Sequence, residues 1–209
     1  MVKTSLTITA DMSEILFVTR LYKARIAPSP VLGKTCLGIA TEDRAGQSWS
    51  RQHGYAGYTS YASLDDLTRR ASEIDQLEKK ISHHVSCFAR EAQFDLGGRK
   101  LVLDSLWINV MNKNAHHEAH VHPHSVISGT YYVSVPVGAG SIRFEDPRLC
   151  MMMAAPPRKS NARADNRLFF DIHPKNGMLL LWESWLRHGV KANASRQPRI
   201  SLSFNYSAV

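Results

Sequence analysis

The chain reads as a mostly β protein, a sandwich or barrel-like jelly roll with an N-terminal helical layer over one face. Three observations predict it. Beyond Gly98 the apolar residues fall into short β-type runs, punctuated by Pro136, Gly138, Gly140, Pro147, Pro156, Pro157 and Asn176-Gly177. Before Gly97, residues Leu67, Ile74, Leu77, Ile81, Val85, Phe88 and Ala92 recur at three- to four-residue steps, the period of a helix with one apolar stripe. The last run, Arg199–Asn205, alternates Arg199, Ser201 and Ser203 with Ile200, Leu202 and Phe204, the pattern of a strand with two unlike faces.

The elements follow in chain order. Glu14 to Ile26 is rich in β-branched and aromatic residues and predicts an extended strand or two. Residues 41 to 60 are polar, carry Gly46, Gly54 and Gly57, and predict loop. Ser63 is placed to cap the helix, Asp65 and Asp66 suit its first turn, and Gly97-Gly98 suits its end. One long helix or two joined ones satisfy the stripe. Strands are then predicted at Leu101–Met111, the histidine segment, Gly129–Val135, Ser141–Phe144, Leu168–Ile172, Met178–Trp182, around His188 and at Arg199–Tyr206. Met151-Met152-Met153 reads as loop or core filler. A chain of 209 residues is expected to form one domain, with residues 1–98 packing on a β unit of residues 99–209.

Composition narrows the function classes. The net charge of +8 is scattered, densest at Arg158, Lys159, Arg163 and Arg167, and no basic run is interleaved with aromatics as nucleic-acid stacking requires. Nucleic acid is therefore not the expected partner, and small anions are an equally good use of that charge. Three widely spaced cysteines, Cys36, Cys87 and Cys150, argue against a disulfide framework and for a reducing compartment. The first fourteen residues hold no continuous apolar core of a signal, and no stretch approaches the ~20 apolar residues of a membrane span. The expected location is the cytoplasm.

Five of the ten histidines lie between residues 116 and 124: His116, His117, His120, His122 and His124. On an extended strand His120 and His122 share a face, and His188, beyond the apolar run Gly177–Trp182, can complete a three-ligand metal face. His116, His117 and His124 are expected at the surface or behind the ligands. Eleven residues past His188, Arg199 points to the polar face of its strand. An inward guanidinium is costly unless it meets an anion, so Arg199 with Ser201 forms a candidate carboxylate clamp.

With these blocks the chain resembles the 2-oxoglutarate/Fe(II)-dependent oxygenases, specifically a branch with an H-x-H-P-x-S-x-x-S-G-x-Y-Y core. The stretches that carry the resemblance are H-V-H-P-H-S-V-I-S-G-T-Y-Y-V (His120–Val133), I-R-F-E-D-P-R (Ile142–Arg148), the segment leading through S-W-L-R-H-G-V, and R-I-S-L-S-F-N. It spans roughly residues 100 to 206, with a fainter echo in G-Y-A-G-Y-T-S-Y-A-S-L-D-D-L (Gly54–Leu67). The resemblance implies a double-stranded β-helix, the cupin-like form of the jelly roll, and Fe(II) held by His120, His122 and His188. It implies 2-oxoglutarate as cosubstrate, its distal carboxylate on Arg199, Ser201 and Tyr132, with Asn109 a further candidate for that pocket. Small-molecule cosubstrate and O₂ are then the expected partners; the primary substrate and the oligomeric state stay open.

One departure matters. Most of the superfamily has H-x-D, and here the carboxylate position is His122. Glu118, two residues before His120, offers an alternative that would restore two histidines and one carboxylate. Three histidines also hold catalytic zinc. Trp107, Trp182 and Trp185 either wall the pocket or simply pack the core, and Glu145, Asp146 and Arg148 lie on a loop where substrate-facing residues often sit. Two rival readings keep the jelly roll: a cupin-like three-histidine metalloenzyme without 2-oxoglutarate, and a non-catalytic binding module.

Overall fold

Tyr131 and Tyr132 are adjacent, both fully buried, and belong to two different apolar clusters. Their strand must therefore be covered on both faces, and the architecture follows from that. The computed structural model describes residues 13–209; most of the opening stretch read as lacking a signal lies outside them.

Two antiparallel sheets make the β part. The larger runs β1 (Leu21–Arg25), β8 (Met178–Glu183), β5 (Ile127–Ser134), β10 (Arg199–Ala208), β3 (Leu101–Met111), β2 (Gly57–Thr59) in spatial order. The smaller runs β4 (His117–His120), β9 (His188–Val190), β6 (Ile142–Glu145), β7 (Phe169–Ile172). Tyr132, Leu180 and Trp182 of the larger sheet pack with Ile142, Phe144 and Ile172 of the smaller. This is the predicted double-stranded β-helix, with the polar face of β10 turned toward its interior.

The opposite face of the larger sheet is the main core. Tyr131, Leu179, Leu181, Leu202 and Phe204 meet Ile74, Leu77, Ile81, Val85 and Phe88 of the long helix α4 (Ser72–Glu91). Three further helices, α1 (Leu32–Glu42), α2 (Arg44–Gln52) and α3 (Leu67–Arg70), complete the layer. Close packing leaves no room at Gly129, where a Cβ would stand 2.5 Å from the Phe204 ring and 2.7 Å from the Leu180 carbonyl. At Gly57 a Cβ would strike the Val110 carbonyl at 2.2 Å, so glycine lets β2 close on β3.

Several expectations are corrected. Of Glu14–Ile26 only Leu21–Arg25 is strand, because only this part finds a partner, β8. Residues 41–60 are largely ordered. Asp43 accepts from the Gly46 N–H at 2.9 Å and starts α2, whose polar sequence R-A-G-Q-S-W-S-R-Q hid its helical period. Ser63 caps no helix; its hydroxyl donates to Asp43, and Asp66 occupies the N-cap position of α3. The helix ends at Glu91, before Gly97-Gly98, as Gln93 takes a left-handed φ of 57° and Phe94 N–H closes on the Ala89 carbonyl at 3.1 Å. Met151 ends a short 3-10 helix, Leu149–Met151, Met153 follows in a turn, and both are exposed, so neither fills the core. No described helix is long and apolar enough to cross a membrane.

The α4 stripe is what seats the larger sheet. Replacing fully buried Ile81 by alanine is expected to cost about 2–5 kcal/mol, the range for a large-to-small core change. A fall in the urea midpoint at unchanged slope is the readout; a loss under ~1 kcal/mol would mean the helix does not anchor the sheet.

Candidate metal centre

β4 and β9 pair so that His120 stands directly opposite His188. The strand stops at His120, and His122 follows it, its backbone N–H held by the Ser184 carbonyl at 3.1 Å. His122 thus lies just past the end of β4, outside the strand pairing that places His120 opposite His188. The three rings converge all the same. Their centroids are 4.5 Å apart for His120–His188, 5.0 Å for His120–His122 and 5.2 Å for His122–His188. One nitrogen from each lies within 4.8 Å of the others, a group that could hold a metal ion.

Backbone carbonyls orient two of these rings. His120 Nδ1 lies 2.7 Å from the Glu118 carbonyl and His188 Nδ1 2.9 Å from the Leu186 carbonyl. A carbonyl only accepts, so each Nδ1 carries the proton and each Nε2 is left with its lone pair free for a metal. Burial, then the neighbouring His120, holds His122 down to about 4. His188 falls to about 3, chiefly through burial and then His120. Both are neutral at physiological pH, the state ligation requires.

Glu118 lies outside this group. The β4–β9 register shifts between His117 and His120, so the two-residue alternation expected to align Glu118 with His120 fails. Its carboxylate is exposed and accepts from His116 Nε2 at 3.1 Å. His124 is exposed, with a left-handed φ of 72°. His117 differs from the other flanking histidines: it lines the same cavity as the triad, and the Tyr55 hydroxyl meets its Nε2 at 2.7 Å. Sequence reasoning passed over Tyr55 and expected His117 only at the surface or behind the ligands. Tyr55 lay in a segment read as loop, and His117 stood out only as one of five histidines.

That cavity runs between the sheets from the triad to Arg199, which is 2 % exposed. The guanidinium carbon lies 4.9 Å over the Tyr132 ring and Nη1 lies 3.2 Å from the Met111 sulfur, while Nε has no partner. No carboxylate pairs with it among the described residues. Ser201, on the same face two residues on, pairs in register with Asn109 on one side and Tyr132 on the other. The Tyr132 hydroxyl and Asn109 Oδ1 are likewise buried without partners, although Asn109 Nδ2 donates to Ser203. A buried cation beside unsatisfied hydroxyl and amide groups costs several kcal/mol unless an anion with hydrogen-bonding capacity meets it. A small carboxylate between the triad and Arg199 fits this donor set, as three neutral imidazoles fit a divalent metal.

The tryptophans divide. Trp107 and Trp182 line the cavity, Trp107 tilted on His122 at 5.9 Å and Trp182 edge-on to His188 at 4.6 Å. Trp185 is half exposed and donates to Glu183, so it neither walls the pocket nor packs the core. Glu145 accepts from Arg187, and Asp146 and Arg148 pair with each other; all three border a separate surface groove.

Residues 105–205 match the family model described as "Putative 2OG-Fe(II) oxygenase". No curated protein matches the sequence. Among solved structures, a viral collagen prolyl hydroxylase from Paramecium Bursaria Chlorella virus-1, in a 2OG complex, superposes with a TM-score of 0.57 at 12% identity, over 90% of this chain and 96% of that one. EctD from S. alaskensis gives 0.56 at 14%, over 91% and 73%. The epimerase SnoN, in complex with Fe3+, alpha ketoglutarate and nogalamycin RO, gives 0.53 at 15%, over 90% and 79%.

The histidine geometry makes a direct prediction. Zn(II) titrated into the wild type is expected to bind once per chain, His122→Ala to lose at least about tenfold in affinity, and Glu118→Ala to bind as the wild type does. The reverse order would make Glu118 the ligand.

Proposed function

We propose, on the premise that the β-helix of this chain belongs over residues 105–205 to the 2OG-Fe(II) oxygenase family, that the protein is a 2-oxoglutarate- and Fe(II)-dependent oxygenase and acts as a hydroxylase. The observation that carries the cosubstrate reading is Arg199: a buried guanidinium without a counter-ion among the described residues, in the cavity that the three-histidine group opens into. His120, His122 and His188 would hold the iron. Once bound, iron and 2-oxoglutarate supply the oxidation, in which O₂ and the cosubstrate become succinate and CO₂ while one oxygen atom enters a C–H bond of the substrate.

The chain's own residues bind, orient and shield. Arg199, with its planar fork, takes the distal carboxylate; the Tyr132 hydroxyl and Ser201 supply hydrogen bonds beside it, and Asn109 closes the same row. Burying that pair away from water strengthens the attraction and fixes which end of the cosubstrate faces the histidines. Tilted on His122 and set edge-on to His188, Trp107 and Trp182 restrict both water and ring motion around the metal position. We place the protein in the cytoplasm, since Cys36, Cys87 and Cys150 are all free thiols. The cupin-like alternative without 2-oxoglutarate leaves the buried charge of Arg199 without a role.

Anaerobic addition of Fe(II) and 2-oxoglutarate together is expected to produce a weak visible charge-transfer band. Arg199→Ala should abolish that band at the same cosubstrate concentration while retaining Fe(II). Fe(II) uptake with a spectrum indifferent to 2-oxoglutarate would instead support the cupin-like metalloenzyme. Failure of the wild type to take up stoichiometric metal would overturn both enzymatic readings.

A further inference from the structure

β2 is a three-residue strand at the far edge of the larger sheet, yet it is seated at the cavity. Gly57 pairs with Met111, which pairs in turn with Arg199, and Thr59 pairs with Asn109. The close approach permitted by Gly57 thus brings Tyr55, two residues upstream, to the Arg199 end of the site. There its hydroxyl meets His117 Nε2 at 2.7 Å, the rings packed edge-on at 5.2 Å.

His117 lines the cavity but stands apart from the metal triad. Its ring centroid is 6.3 Å from that of His120, against 4.5–5.2 Å within the triad. Burial first, then His120 and Arg199, holds it down to about 3, so the ring is neutral. Tyr55, its phenol pushed up by burial, keeps its proton and donates it. A neutral imidazole that accepts at Nε2 carries its own proton at Nδ1. That N–H has no acceptor among the described residues.

We propose that Tyr55 and His117 form a second arm of the carboxylate-binding end of this cavity: the Tyr55 hydroxyl holds the ring, and His117 Nδ1–H is the donor that meets a carboxylate oxygen of the bound 2-oxo acid beside Arg199. His117 touches the ligand; Tyr55 is a positioning residue that sets the tautomer. The assignment deepens the oxygenase reading and rests on it. It also gives the N-terminal layer a part in the site, because Tyr55 lies outside the matched residues 105–205.

The test uses full-length protein loaded with redox-inert Zn(II) and titrated calorimetrically with 2-oxoglutarate. His117→Leu is expected to weaken 2-oxoglutarate about tenfold, the scale of one hydrogen bond to a charged acceptor, and Tyr55→Phe roughly threefold. Zn(II) affinity should stay at the wild-type value in both, which also reports that each variant is folded. His117→Asn sets an amide N–H close to where Nδ1–H stood and should recover most of the loss, which a purely space-filling role would not allow. Unchanged 2-oxoglutarate affinity in His117→Leu, with the wild type binding normally, overturns the second arm and leaves the oxygenase reading standing. Loss of Zn(II) from His117→Leu would make the residue part of the metal centre and overturn it too. A wild type that takes Zn(II) but not 2-oxoglutarate overturns both together.

Discussion

Arg199 holds a full positive charge between two sheets, 2 % exposed, with no carboxylate against it among the described residues. Removing one partner of a buried ion pair typically costs about 3–5 kcal/mol, so a chain that carries such a charge by design keeps a place for the missing anion. The other features of the interior depend on that place. Tyr132 lends its ring face to the guanidinium and leaves its hydroxyl free, Ser201 and Asn109 extend the polar row, and the triad stands at the other end of one cavity. In the proposed assignment three imidazoles would bring no negative charge to a divalent metal, and the incoming anion would balance it. Anion and metal are therefore expected to bind interdependently.

Such a site is tolerable only in a rigid frame. The larger sheet is covered on one face by α4 and its companions and on the other by the smaller sheet, and β5 is buried through seven of its eight residues. On β5 the inner side carries Tyr132, while Tyr131 faces the helices with its hydroxyl donated to the Ile26 carbonyl, so the polar interior and the helix-side core lie on opposite faces of one strand. Two carbonyls, of Glu118 and Leu186, then orient two of the three histidine rings without any further side chain.

The β unit was legible in the sequence because alternation and turn residues are local signals. Every predicted strand after Gly98 has a counterpart, and Leu101–Met111 coincides with β3. The helical layer was only half legible. α4 announces itself by its stripe, whereas α1 was passed over and α2 is polar, started by the Asp43 side chain through a contact with Gly46 that no periodicity reports. At the site, His120 and His188 followed from strand logic, but the register shift in β4 carries Glu118 away and His122 lies just past the end of the strand. Tyr55 and His117 meet across 62 positions of sequence through a three-residue edge strand, a relation that exists only in the folded chain.

The central claim is that one cavity binds a divalent metal at one end and a dicarboxylate at the other. Diffraction at the iron absorption edge, on crystals grown anaerobically with Fe(II) and 2-oxoglutarate, tests it most directly. The account predicts a single anomalous peak bonded to His120, His122 and His188, with the cosubstrate spanning from it to a bidentate contact on Arg199. An iron peak away from these rings, or a cosubstrate whose distal carboxylate avoids Arg199, would contradict it.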